Sequence, residues 1–278
     1  MGATVEHDDD EPTASDEPGR HFVRSLERGL KVIEAFAVEK RPMTAVDVAD
    51  STGIPRAAVR RFLLTLTDLG YTRYDGRAFA LTPRALQLGY SYLVSSPLSA
   101  VAQPHVEELL KRAQKALSKV SILDGGVAVR DQNEIAYVAY ARGTSIFRLN
   151  ISQGSRFPAW ITSTGRVLLA VLDDDELEES LARTTLKSYT AATLRNCEEL
   201  RSAILTARKQ GWCVVDQEFE EKLTAFSVPL KDQNGRTVAA LNLSTIHEPD
   251  RSPYESLLLE QMRATAARIE EDLRLVQP

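Results

Sequence analysis

The chain has 278 residues, 43% hydrophobic and 26% charged, with a formal net charge of −5. That length suits two domains of ordinary size, and the composition can build packed cores, which excludes a fibrous or wholly disordered chain. No apolar run approaches the ~20 residues of a membrane span and no apolar leader opens the chain, so the expectation is a cytoplasmic protein with no membrane partner.

The charge is unevenly placed. Residues 1–20 hold seven acidic side chains against Arg20 alone. They are polar and nearly free of large apolar residues, so residues 1–20 are expected to be a disordered acidic tail. Residues 21–93 hold eleven Lys or Arg against seven Asp or Glu. A mildly basic module of this kind is compatible with nucleic-acid binding, and equally with an ordinary solvated surface.

After the tail, Leu26, Leu30, Ile33 and Ala37 fall on one face of a helix beginning near Ser25, a reasonable N-cap. Arg41-Pro42 ends it. Thr44 and Asp47 have capping-box spacing for a second, short helix. Thr52-Gly53-Ile54-Pro55 is a turn, and Pro55 suits the start of a third helix running to about Leu69. Val59, Phe62, Leu63 and Leu66 should face inward, and Gly70 closes the helix. Tyr71–Tyr74 and Ala78–Leu81 then read as short strands around Asp75-Gly76-Arg77, a hairpin signal.

Helix, turn, helix and hairpin together make a winged helix-turn-helix, expected over residues 21–81. Such a module must bury one side of its third helix and offer the other to a major groove. The outward side would carry Arg56, Ala57, Arg60, Arg61 and Thr65. Arginine pairs bidentately with guanine edges or grips phosphates. Ala57 and Ala58 permit close approach or touch a thymine methyl, and Arg77 at the hairpin tip reaches the backbone or minor groove. Taken alone the arginines read as a solvated face; the turn chemistry at each junction favours a double-stranded DNA partner.

Thr82-Pro83 starts a further helix to about Val94, and Ser95-Ser96-Pro97 ends it, giving a linker over residues 82–97. A longer helix over about 98–117 has an apolar stripe and an internal Pro104. Val120–Leu123, Val127–Arg130, Ile135–Arg142 and Ile146–Ile151 look like strands. Helices are expected over Thr164–Leu172, Asp174–Arg183 and Glu198–Gln210. Strands return at Trp212–Gln217, Ala225–Lys231 and Thr237–Thr245, the last two joined by a turn containing Asn234-Gly235. Pro253–Val276 closes the chain as an amphipathic helix. Strands, then helices, then strands imply an α+β domain, an antiparallel sheet with helices packed around it, over residues 98–278.

No catalytic or dinucleotide fingerprint is present, and the four histidines form no Cys–His arrangement, so no enzyme is expected. Cys197 and Cys213 match no metal-ligand spacing and read as reduced thiols; neither cofactor nor metal is expected.

Residues 22–93 resemble the N-terminal domain of the isocitrate lyase regulator (IclR) family of bacterial transcription factors. The segments that carry the likeness are Phe22-Val-Arg-Ser-Leu-Glu-Arg-Gly-Leu30, Gly53-Ile-Pro-Arg-Ala-Ala-Val-Arg-Arg61, Leu69-Gly-Tyr71 and Leu81-Thr-Pro-Arg84. It continues through Ala159-Trp-Ile-Thr-Ser-Thr-Gly-Arg-Val-Leu-Leu-Ala170, Gly211-Trp212, Asp216-Gln-Glu218 and Val238–Ser244. The stretch Phe22–Phe36 and Asp216-Gln-Glu218 look closest to the branch that regulates aromatic-acid breakdown by the β-ketoadipate route.

The resemblance implies a GAF-like C-terminal domain that binds a small organic acid, a homodimer or tetramer, and an operator-binding regulator. Effector contacts would fall on the Ser163 and Thr164 amides and on Leu223, Ala225, Asn242 and Ser244. Free amides at a helix start favour a carboxylate. Asn242 and Ser244 are two apart on a strand and so share a face. Phe147 and Trp160 would supply an apolar wall, and Asp216 belongs to the same candidate set. One at a time, Ser163 is as readily a helix cap, Trp160 and Phe147 core, and Asp216 surface charge. Where the family often has a glycine after the acidic run, Lys222 stands here, which unsettles the local loop; the alternative is a lysine that pairs an acidic effector. The expected effector is an aromatic hydroxy-acid such as protocatechuate or 4-hydroxybenzoate. The alternatives are a short-chain acid such as glyoxylate or pyruvate, and a small-molecule binding protein without a DNA role.

Overall fold

The computed structural model describes residues 21–39, 41–118, 120–143 and 151–276. The acidic tail and Phe147, with most of the strand expected at Ile146–Ile151, lie outside the described residues; Ile151 itself is not in a strand. The chain divides into two compact units between Tyr90 and Ser91, within one helix.

The first unit holds α1 (Arg24–Glu39), α2 (Ala45–Thr52) and α3 (Arg56–Asp68), then β1 (Thr72–Tyr74) and β2 (Phe79–Leu81). Thr44 and Asp47 form the reciprocal cap: the Asp47 amide donates to Thr44 Oγ1 at 3.2 Å and the Thr44 amide to Asp47 Oδ2 at 2.7 Å. Gly53 at φ 69° ends α2 in the left-handed region, and Pro55 precedes α3 with its ring already suited to a helix start. Val59, Leu63 and Leu66 of α3 enter a core with Met43, Val48, Ile54 and Phe79, and Phe62 packs at its margin. Met43 and Phe79 exchange backbone hydrogen bonds, extending the β1–β2 hairpin by one bridge. The face of α1 differs from expectation. Leu26 and Leu30 are exposed, and Val32, Ala35 and Phe36 are buried instead. The helix carries two apolar stripes; the second, spaced i, i+3, i+4, is the one buried in this unit's core, while Ile33 of the first packs at the core's margin.

A 3-10 turn (Pro83–Ala85) capped by Thr82 leads into α4 (Leu86–Ser95), and α5 (Pro97–Ala116) follows. The second unit is built on a six-stranded antiparallel sheet in the order β5-β4-β3-β8-β7-β6. These strands are β3 (Ile122–Asp131), β4 (Glu134–Arg142), β5 (Arg156–Pro158), β6 (Cys213–Asp216), β7 (Leu223–Lys231) and β8 (Thr237–Ile246). On one face α5 and α9 (Ser252–Val276) close a core around Leu109, Phe226, Leu241 and Met262. On the other lie α6 (Ser163–Leu169), α7 (Asp174–Ala182) and α8 (Cys197–Gln210), packed against Ile135, Tyr137 and Ala240. The antiparallel α+β architecture is as the element pattern implied.

Two corrections concern this sheet. The strands expected at 120–123 and 127–130 are one continuous β3. Gly125-Gly126, which reads as a break, sits mid-strand because neighbours press on its backbone: a Cβ on Gly126 would lie 2.7 Å from the Ala139 carbonyl oxygen and from the Tyr137 ring. β5, three residues long, was too short to register as a period.

Candidate functional site

In the first unit Arg56, Ala57, Arg60, Arg61 and Thr65 are all exposed on α3, opposite Val59, Leu63 and Leu66, and Ala58 is half-buried. None of the three arginines makes an ion pair among the described residues, so the whole face presents uncompensated positive charge. The hairpin tip is braced by Asp75, whose Oδ1 accepts from the Arg77 and Ala78 amides at 2.9 and 2.8 Å. Those amides, Ala78 first, hold its carboxyl below the usual range. Gly76 at φ 98° makes the turn, and Arg77 stands exposed at its tip.

The second unit has a cavity on the α6 side of the sheet. Its volume is ≈ 40 Å³, below the ~300–1,000 Å³ of small-molecule sites, so a ligand the size of a benzoate enters only as the walls part. Six of the expected positions meet there: Ser163, Thr164, Leu223, Ala225, Asn242 and Ser244. The cap of α6 is Thr162, not Ser163: Thr162 Oγ1 accepts from the Gly165 amide at 3.0 Å, which places Ser163 in the first turn. Gly165 is confined there, since a Cβ would come within 2.0 Å of the Ala159 carbonyl oxygen. Ser163 Oγ and Thr164 Oγ1 both meet Ser227 Oγ, at 2.8 and 3.1 Å, so the helix start is pinned to β7. Asn242 donates to the Phe226 carbonyl at 3.2 Å and accepts from the Tyr137 hydroxyl at 3.3 Å.

Of the expected apolar wall, Phe147 lies outside the described residues, and Trp160 is placed elsewhere. Trp160 is buried against Tyr189 in the adjoining core and does not line the cavity. Tyr137, Phe157 and Phe219 supply the aromatic surface, with edge-on contacts of 6.2 Å between Tyr137 and Phe157 and 5.4 Å between Phe157 and Phe219. In the sequence Tyr137 was marked by its place in the strand expected at Ile135–Arg142 and by nothing more specific.

Asp216 also lies off the wall. Its Oδ1 accepts from Thr224 Oγ1 at 2.6 Å and meets His247 Nδ1 at 2.8 Å, and its Oδ2 is 3.4 Å from Arg251. It ties β6 to the segment after β8. Lys222 is exposed and off the wall too. It keeps the left-handed backbone that suits a glycine, at φ 65°, with its carbonyl accepting from the His247 amide at 2.7 Å.

Two features were not singled out from the sequence. Arg166 of α6 is buried and pairs bidentately with Glu218, at 2.8 and 2.5 Å, while its Nε donates to the Trp160 carbonyl at 2.9 Å. Asp124 of β3, 2% exposed, sits beside Ser244 in the cross-strand register. Burial pushes its carboxyl up to about 6, against the opposing pull of the Ser244 and Tyr140 hydroxyls and the Arg142 charge. Among the described residues no group of three or more potential metal ligands is assembled, and no helix is long and apolar enough to cross a membrane.

A winged helix with an unpaired cationic face, joined in one chain to a sheet domain enclosing a small polar-ended cavity, defines the class of ligand-binding transcriptional regulators. The model of the IclR helix-turn-helix domain matches residues 25–76, and that of the bacterial transcriptional regulator IclR C-terminal domain matches residues 90–271. The Pca regulon regulatory protein of Pseudomonas putida is 43% identical over 249 residues, covering 88% of this chain and 82% of that protein. A transcriptional regulator from Rhodococcus sp. RHA1 superposes with a TM-score of 0.77 at 42% identity, covering 92% of this chain and all of that one (100%). An IclR homologue from Microbacterium hydrocarbonoxydans, solved in complex with 4-hydroxybenzoate, gives a TM-score of 0.74 at 25% identity over 90% of this chain and 99% of that one. The chain belongs to the IclR family of bacterial transcriptional regulators, and its similarity to a Pca regulator agrees with the aromatic-catabolism branch that its sequence resembles.

Proposed function

We propose that this DNA-binding regulator responds to an aromatic hydroxy-acid, of which 4-hydroxybenzoate and protocatechuate are the examples, bound in the cavity beside α6. The observation that carries the reading is the convergence on one cavity of Ser163, Thr164, Asn242 and Ser244 opposite a wall of Tyr137, Phe157 and Phe219. The polar groups suit a carboxylate and a hydroxyl, and the rings suit a flat apolar body. The relatives support it: one is a Pca regulon regulator, and a structural neighbour holds 4-hydroxybenzoate.

In this reading residues 21–81 grip the operator through Arg56, Arg60 and Arg61, supported by Ala57, Ala58, Thr65 and Arg77. Residues 82–97 link that domain to the effector domain at 98–278. A homodimer, or a tetramer built from it, places two recognition helices on a palindromic site. The exposed apolar side chains of Leu26, Leu30, Leu86 and Leu88 favour such association. The protein acts in the cytoplasm by binding and not by turnover. The acid alters operator affinity by binding the two arrangements of the DNA domains unequally.

A thermal-shift screen of the full chain tests the effector. Hydroxybenzoates should raise Tm in proportion to their concentration over Kd. Stabilisation by glyoxylate or pyruvate alone would sink the aromatic reading, and product found by mass spectrometry after long incubation would sink the non-enzymatic one.

A further inference from the structure

We propose that Asp124 is a second polar pole of the effector cavity, whose unpartnered carboxylate oxygen accepts the hydrogen bond of a ring hydroxyl and so selects hydroxylated over unsubstituted aromatic acids. This rests on the effector reading above and adds a subsite to it.

The strand register places the residue. Val215 is paired with Ala225, Ala225 with Ser244, Ser244 with Asp124, and Asp124 with Arg142. Cross-strand partners point to the same face of a sheet, so these five side chains form one row running from β6 to β4. Val215, Ala225 and Ser244 line the cavity. Asp124 is the next member, one strand further, about 4.8 Å on; it stands behind the Ser244 wall and does not itself line the cavity, so a ring hydroxyl reaches it past Ser244. Its neighbour in the strand, Gly126, has no side chain, and the Tyr137 ring of the cavity wall lies over it instead.

The chemistry of the row is unusual for a core. A carboxylate in a buried strand is expensive unless its oxygens are satisfied. Asp124 Oδ1 has no solvent contact and no hydrogen-bond partner. The groups that face the carboxyl are the Ser244 hydroxyl from β8, the Tyr140 hydroxyl, the Arg142 charge and Tyr137 from β4. Burial raises both tyrosine hydroxyls, so each stays protonated around neutral pH. What the row lacks is a donor for Oδ1. A phenolic hydroxyl supplies one, and hydrogen bonds to an ionised acceptor are about twice as strong as neutral ones. An acid without the hydroxyl leaves the oxygen as it is. Sites built to bond a hydroxyl discriminate strongly against analogues that lack it.

The test is titration of the full chain with 4-hydroxybenzoate and with benzoate, in wild type and in the isosteric variant Asp124→Asn. Wild type at pH 7.5 should favour 4-hydroxybenzoate at least tenfold. In Asp124→Asn the preference should fall below threefold, with benzoate affinity changed by less than threefold. As a second readout needing no variant, the wild-type preference should shrink at least threefold between pH 7.5 and pH 5, as Asp124 takes up its proton. A preference that survives in Asp124→Asn and is flat with pH overturns the subsite, as does equal binding of the two acids by wild type, while leaving the aromatic effector intact. Failure of wild type to bind either acid overturns the effector reading itself.

Discussion

Glu218→Leu should destabilise the effector domain by about 3–5 kcal/mol, because it strands a buried charge. The Arg166 side chain is 2% exposed, and among the described residues its acceptors are the Glu218 carboxylate and the Trp160 carbonyl. Removing the carboxylate leaves a guanidinium in the core with one neutral partner, and breaking a buried pair at one end costs about 3–5 kcal/mol. For a domain of this size each kcal/mol moves Tm by about 2–4 °C, so the variant should melt about 6–20 °C lower. The double variant Arg166→Met, Glu218→Leu removes both charges and restores apolar packing. It should be more stable than Glu218→Leu, since replacing a whole buried pair is often neutral or better. Denaturant unfolding of the two single variants and the double gives the coupling directly. A loss under 1 kcal/mol for Glu218→Leu, or a double variant that loses the sum of both singles, refutes the reasoning. The functional consequence follows from position: Arg166 is on the helix whose first turn forms the cavity wall, and Glu218 is on the segment after β6. Effector affinity should fall with Glu218→Leu even where the protein remains folded.

Lys222→Gly should stabilise by about 0.5–1 kcal/mol. It relieves a left-handed backbone disfavoured for an L-residue, partly offset by the freedom glycine gains when unfolded; chemical denaturation reads it, and a loss of stability contradicts it. Asp124 makes a pH prediction. Its folded pKa of about 6 lies above its unfolded value of 3.8, so its contribution is full below about pH 4 and is lost as pH rises through about 6. The stability of Asp124→Asn relative to wild type should therefore rise by about 2 kcal/mol between pH 4 and pH 7; a flat difference curve contradicts the placement. Arg60→Ala and Arg61→Ala should each weaken DNA binding, and each loss of a phosphate contact should reduce the slope of log K against log salt by about 1. Unchanged affinity in both variants removes α3 from the interface.

Local chemistry was legible in the sequence and long-range pairing was not. The Thr44–Asp47 cap, the Gly53–Pro55 turn, the Asp75–Gly76 hairpin and the shared face of Asn242 and Ser244 each depend on residues within a few positions of one another. Arg166 and Glu218 are 52 residues apart and Ser163 and Ser227 are 64 apart, and nothing in either neighbourhood names its partner. Asp124 left a trace in Ile122-Leu-Asp-Gly-Gly-Val127, an acid inside a strand-like run. The following glycines made it look like the end of a strand, when they answer a close approach from β4. α1 shows a different limit. Its periodicity was real, but two stripes satisfied it, and only packing decides which one the unit buries. Trp160 was assigned to the cavity through its neighbours in a motif, and the helix start beside it turns the indole into the core.

The proposed regulation requires that an acid held between α6 and β8 change the grip of α3 on DNA. Fluorescence anisotropy of the full chain on a labelled duplex from the region upstream of its own gene, at fixed salt, measures it directly. The account predicts that saturating 4-hydroxybenzoate shifts the Kd for that duplex at least about fivefold, the low end of ordinary allosteric coupling. It also predicts that Asn242→Ala abolishes the shift without altering the Kd of the effector-free protein. An unchanged Kd with the acid bound, or a shift that survives in Asn242→Ala, would contradict it.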